Sequence, residues 1–168
     1  MSCPIKNFAT AVVAVVEPET PAVVAAQLMR QHHIGALVVV DATEKTCAVG
    51  IVTDRDLVLE LMAEGLDPAV FTAGDIMSVD LVTATPDMDA MDAVQLMKTH
   101  RLRRLVIVDD SERLVGIATM EDVLELLARE LAGLAAGLAG ARDIPRKQPA
   151  GPIELVKFNS NKVNIYEG

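Results

Sequence analysis

The chain has no tryptophan, one tyrosine (Tyr166) and three phenylalanines (Phe8, Phe71 and Phe158). So sparse an aromatic set excludes a base-stacking platform for single strands. It also leaves the core to Val, Leu, Ile, Ala and Met. Basic residues are few: 15 Lys and Arg against 24 Asp and Glu give a formal net charge of −9 over 168 residues. Binding a phosphate backbone needs clustered cations, so nucleic acid is not expected as the main partner. Two cysteines, Cys3 and Cys47, supply neither a disulfide framework nor a zinc ligand set. As free thiols they suit a reducing cytosol. Long apolar runs are missing too. Ala11–Val16 stops at Glu17-Pro18-Glu19, too short for a signal segment. Leu131–Ala141 falls well short of the ~20 residues that cross a bilayer. The expectation is a cytoplasmic protein with no membrane segment. Hydrophobic residues are abundant at 51%, too many for a disordered chain, and the length suits one or two small domains.

The chain repeats itself. The tripeptide Gln-Leu-Met stands at 27–29 and again at 95–97, and holding that offset of 68 aligns Glu17–Asp41 with Thr85–Asp109 at eleven identities in 25 positions. Past the aspartate the offset becomes 66, and Gly50-Ile51-Val52-Thr53 falls on Gly116-Ile117-Ala118-Thr119. The length change sits in a polar turn, where insertions are tolerated. A duplication explains this pattern.

Each copy reads as strand, helix, strand, strand, helix, which places the chain in the mixed α/β class with small sheets covered by helices. The short first strands are Val12–Val16 and Leu81–Thr85. The first helix is expected to open with Thr20 as N-cap and Pro21 at its first position, with Val23, Ala26, Leu28 and Met29 near one face. Unbroken aliphatic runs at Ala36–Val40 and Leu105–Val108 predict strands buried on both faces. Strands at Ala48–Val52 and Leu114–Ala118 follow, then helices from about Asp54 to Glu64 and from Met120 to Leu131 or beyond. Thr72–Met77 reads as one capped helical turn, with Lys6–Ala9 as its counterpart before the first copy. The domain division expected is 5–66, 67–131 and a C-terminal helix extension and flexible tail over 132–168. Gly133, Gly137 and Gly140 give the helix extension small residues at i, i+4 spacing, either a dimer seam or a frayed end. Pro145, Pro149 and Pro152 stop any helix beyond it, and the last sixteen residues carry little pattern.

The constellation most suggestive of chemistry is Thr53-Asp54-Arg55-Asp56, echoed by Thr119-Met120-Glu121-Asp122. A carboxylate can accept from both vicinal hydroxyls of a ribose, a threonine hydroxyl can bond ribose or phosphate, and a helix start favours an anion. The same Thr-x-x-Asp spacing is close to a capping box, so the residues alone leave ligand binding and capping both open. His32, His33 and His100 lie at helix C-termini, where interaction with the dipole is the better reading than metal binding. No nucleophile–base pattern or P-loop is present, and no enzymatic activity is expected.

GIVTDRDL, IGALVVVD and GDIMSVDLVTATPD resemble the cystathionine β-synthase (CBS) domain, here as a tandem pair over about residues 5–131. The resemblance implies two β-α-β-β-α repeats related by pseudo-twofold symmetry, their sheets packed together, with two adenosyl-ligand clefts between them. It implies that Gly35, Ala36 and Leu37 in one copy, and Arg103, Arg104 and Leu105 in the other, read the adenine edge through backbone groups. With Thr53, Asp54, Arg55, Asp56, Thr119, Met120 and Asp122 these complete the expected site. One cleft is expected to join Thr53, Asp54 and Asp56 to Gly35 and Ala36, the other Thr119 and Asp122 to Arg103 and Arg104. In so acidic a chain a polyphosphate needs a local cluster, for which Lys98, Arg101, Arg103, Arg104 and Arg55 are candidates; surface ion pairs are their alternative fate. The expectation is a stand-alone regulatory sensor. Its ligand would be AMP, ATP or S-adenosylmethionine, with no required cofactor. It would form a homodimer through Asp54–Met62 and Met120–Leu131, with an unidentified protein partner open. The alternatives are a ligand-free structural module or the regulatory subunit of a separately encoded enzyme.

Overall fold

The computed structural model describes residues 3–141, 155–159 and 162–166. Two compact units divide it, Met1–Leu127 and Ala128–Gly168. In the first, the duplication becomes two three-stranded sheets. β1 (Val15–Val16) pairs parallel with β2 (Ala36–Val40), which pairs antiparallel with β3 (Ala48–Thr53); α1 (Ala22–His32) is the crossover between β1 and β2. After β3 come α2 (Asp54–Asp56), a π-helical stretch Leu57–Met62 and the short α3 (Ala73–Ile76). β4 (Thr83–Ala84), α4 (Ala90–His100), β5 (Arg104–Val108) and β6 (Leu114–Thr119) repeat the plan, and α5 (Met120–Ala141) follows.

β2 and β5 are buried on both faces, as their aliphatic runs predict. Leu37 and Val39 face a core formed with Ala22, Ala25 and Met29 of α1, while Leu105 and Ile107 face the equivalent core with Ala93 and Met97 of α4. The alternate residues Val38, Val40 and Val106 meet in a third cluster between the two sheets. Period-two alternation thus sends one set of side chains to the helices and the other to the second sheet.

Several expectations are corrected. β1 and β4 are only two residues long. Pro21 is the N-cap of α1 and not its first helical residue; it pairs with Thr72, and the Thr20 hydroxyl instead accepts from the Glu17 amide at 3.2 Å. The buried stripe of α1 is Ala22, Ala25 and Met29, while Ala26 is exposed. The helix expected over Asp54–Glu64 widens into π winding after Asp56, which buries Leu61 and leaves Val58, Leu59 and Met62 out. In the second unit, Leu155–Asn159 (β7) and Lys162–Tyr166 (β8) pair antiparallel where little pattern was expected. Alternation of Val156 and Phe158 with Lys157, and of Val163 and Ile165 with Asn164, is the strand signal. The proline-rich stretch 142–154 lies outside the described residues.

The segments preceding each repeat are exchanged. Ile5, in a 3-10 turn (Ile5–Asn7), is fully buried in the core of the second repeat, and its amide donates to Met88 O at 2.9 Å. Ala73 and Ile76 of α3 belong to the core of the first repeat, where Ala73 N–H donates to Thr20 O at 2.7 Å. The strand edges follow the same rule: Thr10 bridges to Ile117 of β6, and Ser78 bridges to Ile51 of β3. Each sheet therefore gains an arm from the chain leading into the other repeat.

Candidate functional site

Both Thr-x-x-Asp motifs sit where a β-strand turns into a helix, and both close as capping boxes. Thr53 N–H and Oγ1–H donate to Asp56 Oδ2 at 2.8 and 2.7 Å, and Asp56 N–H donates back to Thr53 Oγ1 at 3.3 Å. Thr119 and Asp122 repeat this at 2.7, 2.7 and 3.2 Å. A third box at Thr72 and Asp75 opens α3, and the Thr72 amide and hydroxyl hold the Asp75 carboxyl below its ordinary range. In the first two boxes the threonine hydroxyl proton is committed to the carboxylate. What the first motif can still offer a ligand is the second carboxylate oxygen, Oδ1, of Asp56.

Two clefts open in the first unit, and they combine residues across the repeats. One, of about 580 Å3, is lined by Thr53–Asp56 of the first repeat, Arg101–Arg104 of the second, and Ser78, Asp80, Leu81 and Val82 of the connecting arm. The other, of about 660 Å3, is lined by Ile34–Val38, Leu28, His32 and His33 of the first repeat, Thr119 and Glu121 of the second, Arg104, and the arm that carries Thr10 and Val12–Val15. Both volumes suit a nucleoside-sized ligand. Within the first repeat Asp54 N–H donates to Gly35 O at 3.2 Å and Thr53 pairs with Ala36, so these residues adjoin. The cleft walls also join residues across the repeats: Thr53, Asp54 and Asp56 share one cleft with Arg103 and Arg104, and Gly35, Ala36 and Leu37 share the other with Thr119. The exchanged arms are the reason, because each seals the edge of the opposite sheet and forms a cleft wall there. Leu105 is fully buried in the second core, Met120 packs against that core, and neither these nor Asp122 lines a cleft.

The cleft at Thr53–Asp56 is the charged one. Arg55, Arg101, Arg103 and Arg104 line it with Asp54, Asp56 and Asp80. Among the described residues none of these four arginines forms an ion pair; such pairs join Lys6 to Asp87, Lys45 to Glu17 and Arg113 to Asp109. Lys98 lines neither cleft. The larger cleft is mainly aliphatic, and Arg104 is the only Lys or Arg among its lining residues. His33 and Arg101, at equivalent positions of the repeats, cap α1 and α4 in the left-handed region with φ of 54° and 56°. Each lines one cleft. Sequence reasoning missed the arm residues, which the bridges Thr10–Ile117 and Ser78–Ile51 bring to the site across the repeats, and it gave no role to Glu121, which stands in the second motif and lines the larger cleft.

Two matched sheets, doubly buried inner strands and paired clefts define a tandem-repeat module. The CBS domain profile matches residues 5–63 and 73–129, and the chain belongs to the CBS domain family as a tandem pair. Uncharacterized protein MK0525 of Methanopyrus kandleri is 44% identical over 109 residues, which cover 65% of this chain and 55% of that one. The CBS domain-containing protein YhcV of Bacillus subtilis is 40% identical over 132 residues, 78% of this chain and 91% of its own. Among solved structures, the CBS domain pair of protein MJ0100 in complex with 5′-methylthioadenosine and S-adenosyl-L-methionine superposes with a TM-score of 0.69 at 25% identity, covering 77% of this chain and 99% of that one. No described helix is long and apolar enough to cross a membrane.

Proposed function

We propose that this CBS pair is a regulatory sensor of adenosine-containing ligands, the AMP, ATP or S-adenosylmethionine class, and not a catalyst. Occupancy would change the packing of the two repeats or the geometry of a dimer. The carrying observation is the charged cleft, where four arginines without ion-pair partners surround Asp54 and Asp56 in a protein of net charge −9. A guanidinium left unpaired in so acidic a chain marks a place for an external anion. The Asp56 carboxylate supplies acceptors for ribose hydroxyls beside it. The adenosyl compounds held by the MJ0100 pair support the same ligand class. Thr53, Asp54, Arg55, Asp56, Arg103 and Arg104 are assigned to this cleft, and Gly35, Ala36, Leu37 and Thr119 to the other. A homodimer through the α2 and α5 regions fits the exposed Val58, Leu59, Met62, Leu124 and Leu127.

The completed capping boxes favour a second reading, a structural module in which Asp56 and Asp122 only cap helices. A thermal-shift panel of AMP, ATP and S-adenosylmethionine separates the two. Ligand at 100 times its dissociation constant stabilises one site by about 2.7 kcal/mol, a readable rise in Tm. No shift with any of the three leaves the structural module standing.

A further inference from the structure

Arg104 is the one residue that lines both clefts. It starts β5, its backbone paired with Thr119, and its guanidinium reaches over the entry to β2. There Gly35 leaves the space: a Cβ at Gly35 would lie 3.2 Å from Arg104 Nη2 and 3.0 Å from Asp54 Oδ2. Gly35 is thus the saddle between the clefts, with a cation and a carboxylate resting over it. The duplication does not reproduce this device. The position equivalent to Arg104 is Ala36, which pairs with Thr53 as Arg104 pairs with Thr119, and a methyl group cannot reach the other cleft.

We infer that Arg104 couples the two clefts, so that an anion held in the Thr53–Asp56 cleft weakens binding of an anionic ligand in the Gly35–Leu37 cleft. The physical ground is that one guanidinium cannot close on two separate anions. The charged cleft has three further arginines to hold a polyphosphate, Arg55, Arg101 and Arg103. Apart from His32 and His33 the aliphatic cleft has no other basic side chain, so when Arg104 turns to the polyphosphate the cleft loses its one guanidinium and keeps Glu121. An uncharged nucleoside there does not need the guanidinium and is left nearly unaffected. Coupling of this kind is reciprocal and falls in the usual range of about 5- to 150-fold. The inference rests on the sensor reading and adds to it a direction: phosphate in one cleft selects against phosphate in the other.

The test uses inorganic tripolyphosphate, which has no base and so seeks only the arginine cluster, with AMP and adenosine as probes. All three are titrated by calorimetry at constant ionic strength. In the wild type, saturating tripolyphosphate should weaken AMP about tenfold or more, with adenosine within about twofold. Arg104→Met keeps the aliphatic stem, and in it the effect of tripolyphosphate on AMP should vanish. Persistence of the effect in Arg104→Met means direct competition at the remaining arginines and overturns the coupling. AMP binding that ignores tripolyphosphate in the wild type also overturns it, while leaving the sensor reading intact. Failure of both AMP and adenosine to bind overturns the coupling, and failure of ATP and S-adenosylmethionine as well overturns the sensor reading. Should Arg104→Met not fold, Arg104→Lys tests the same point, because a shorter point charge cannot bridge the saddle and the interference should still fall.

Discussion

Replacing Asp56 by Ala and Thr53 by Ala damages the same capping box in ways that separate capping from ligand binding. Asp56→Ala removes the carboxylate that accepts from Thr53 N–H and Oγ1–H at 2.8 and 2.7 Å. Two such bonds are worth about 0.5–1.5 kcal/mol each, so the variant should lose about 1–3 kcal/mol. Thr53→Ala removes the N-cap acceptor of the Asp56 amide and one donor to the carboxylate, at a cost of about 1 kcal/mol. For a protein of this size each kcal/mol moves Tm by about 2–4 °C, so the two variants should melt within about 8 °C of each other. Their response to ligand should differ. If Asp56 Oδ1 holds a ribose hydroxyl, its loss costs about 1.5–3 kcal/mol, or roughly ten- to a hundredfold in Kd. At a concentration giving about 2.7 kcal/mol of stabilisation in the wild type, Asp56→Ala should then retain only about 0.4–1.4 kcal/mol. Thr53→Ala should retain most of the wild-type value, because its hydroxyl proton is already committed to Asp56. Differential scanning calorimetry with and without AMP or S-adenosylmethionine reads both quantities. Equal ligand responses in the two variants would refute the assignment of Asp56 to the ligand.

Other perturbations test the frame around the clefts. A Cβ at Gly50 would collide with the Met77 side chain, so Gly50→Ala should destabilise by about 1–3 kcal/mol by overpacking, and Met77→Ala in the same chain should relieve part of it in chemical denaturation; an additive double variant argues against the clash. His33 sits at φ 54° as a helix cap, and His33→Gly should raise stability by about 0.5–1 kcal/mol, the left-handed penalty less the greater entropy of an unfolded glycine; a lower denaturation midpoint contradicts this. The Arg113 guanidinium, bonded at 2.8 Å, is the main cause holding the Asp109 carboxyl below its ordinary value. A depressed folded-state value contributes stability above the unfolded value near about pH 4 and loses it as pH falls through the lower folded value. Arg113→Ala should therefore move the Asp109 titration upward by carboxyl NMR, and an unmoved midpoint refutes the cause. Light scattering at tens of micromolar should give a dimer mass, and Leu124→Glu with Met62→Glu should give a monomer if the exposed faces of the Leu57–Met62 stretch and α5 form the seam.

Local order was legible in the residues because it rests on short-range chemistry. Period-two burial of Leu37–Val40, the capping boxes at Thr53, Thr72 and Thr119, and the turn where the repeats differ in length all depend on neighbours within a few positions. The duplication itself stated that two similar sheets would form. Propensity did not show that β1 would shrink to Val15–Val16, that Pro21 would pair with Thr72, or that the second helix would widen to π winding at Leu57.

The composition of the clefts belonged to the tertiary structure alone. Residues matched by the repeat were expected to serve their own copy, yet Ile5 fills the second core, Ala73 and Ile76 fill the first, and the arms at Thr10 and Ser78 close the opposite sheets. That exchange sets Thr53–Asp56 against Arg101–Arg104 and Gly35–Leu37 against Thr119. A linear alignment records which positions are equivalent and says nothing of which lie side by side, because contacts between repeats form across two packed sheets and not along the chain. The place of Arg104 between both clefts follows from the same cause. Its charge is written in the sequence, but its reach to Gly35 exists only once β5 and β2 lie in neighbouring sheets.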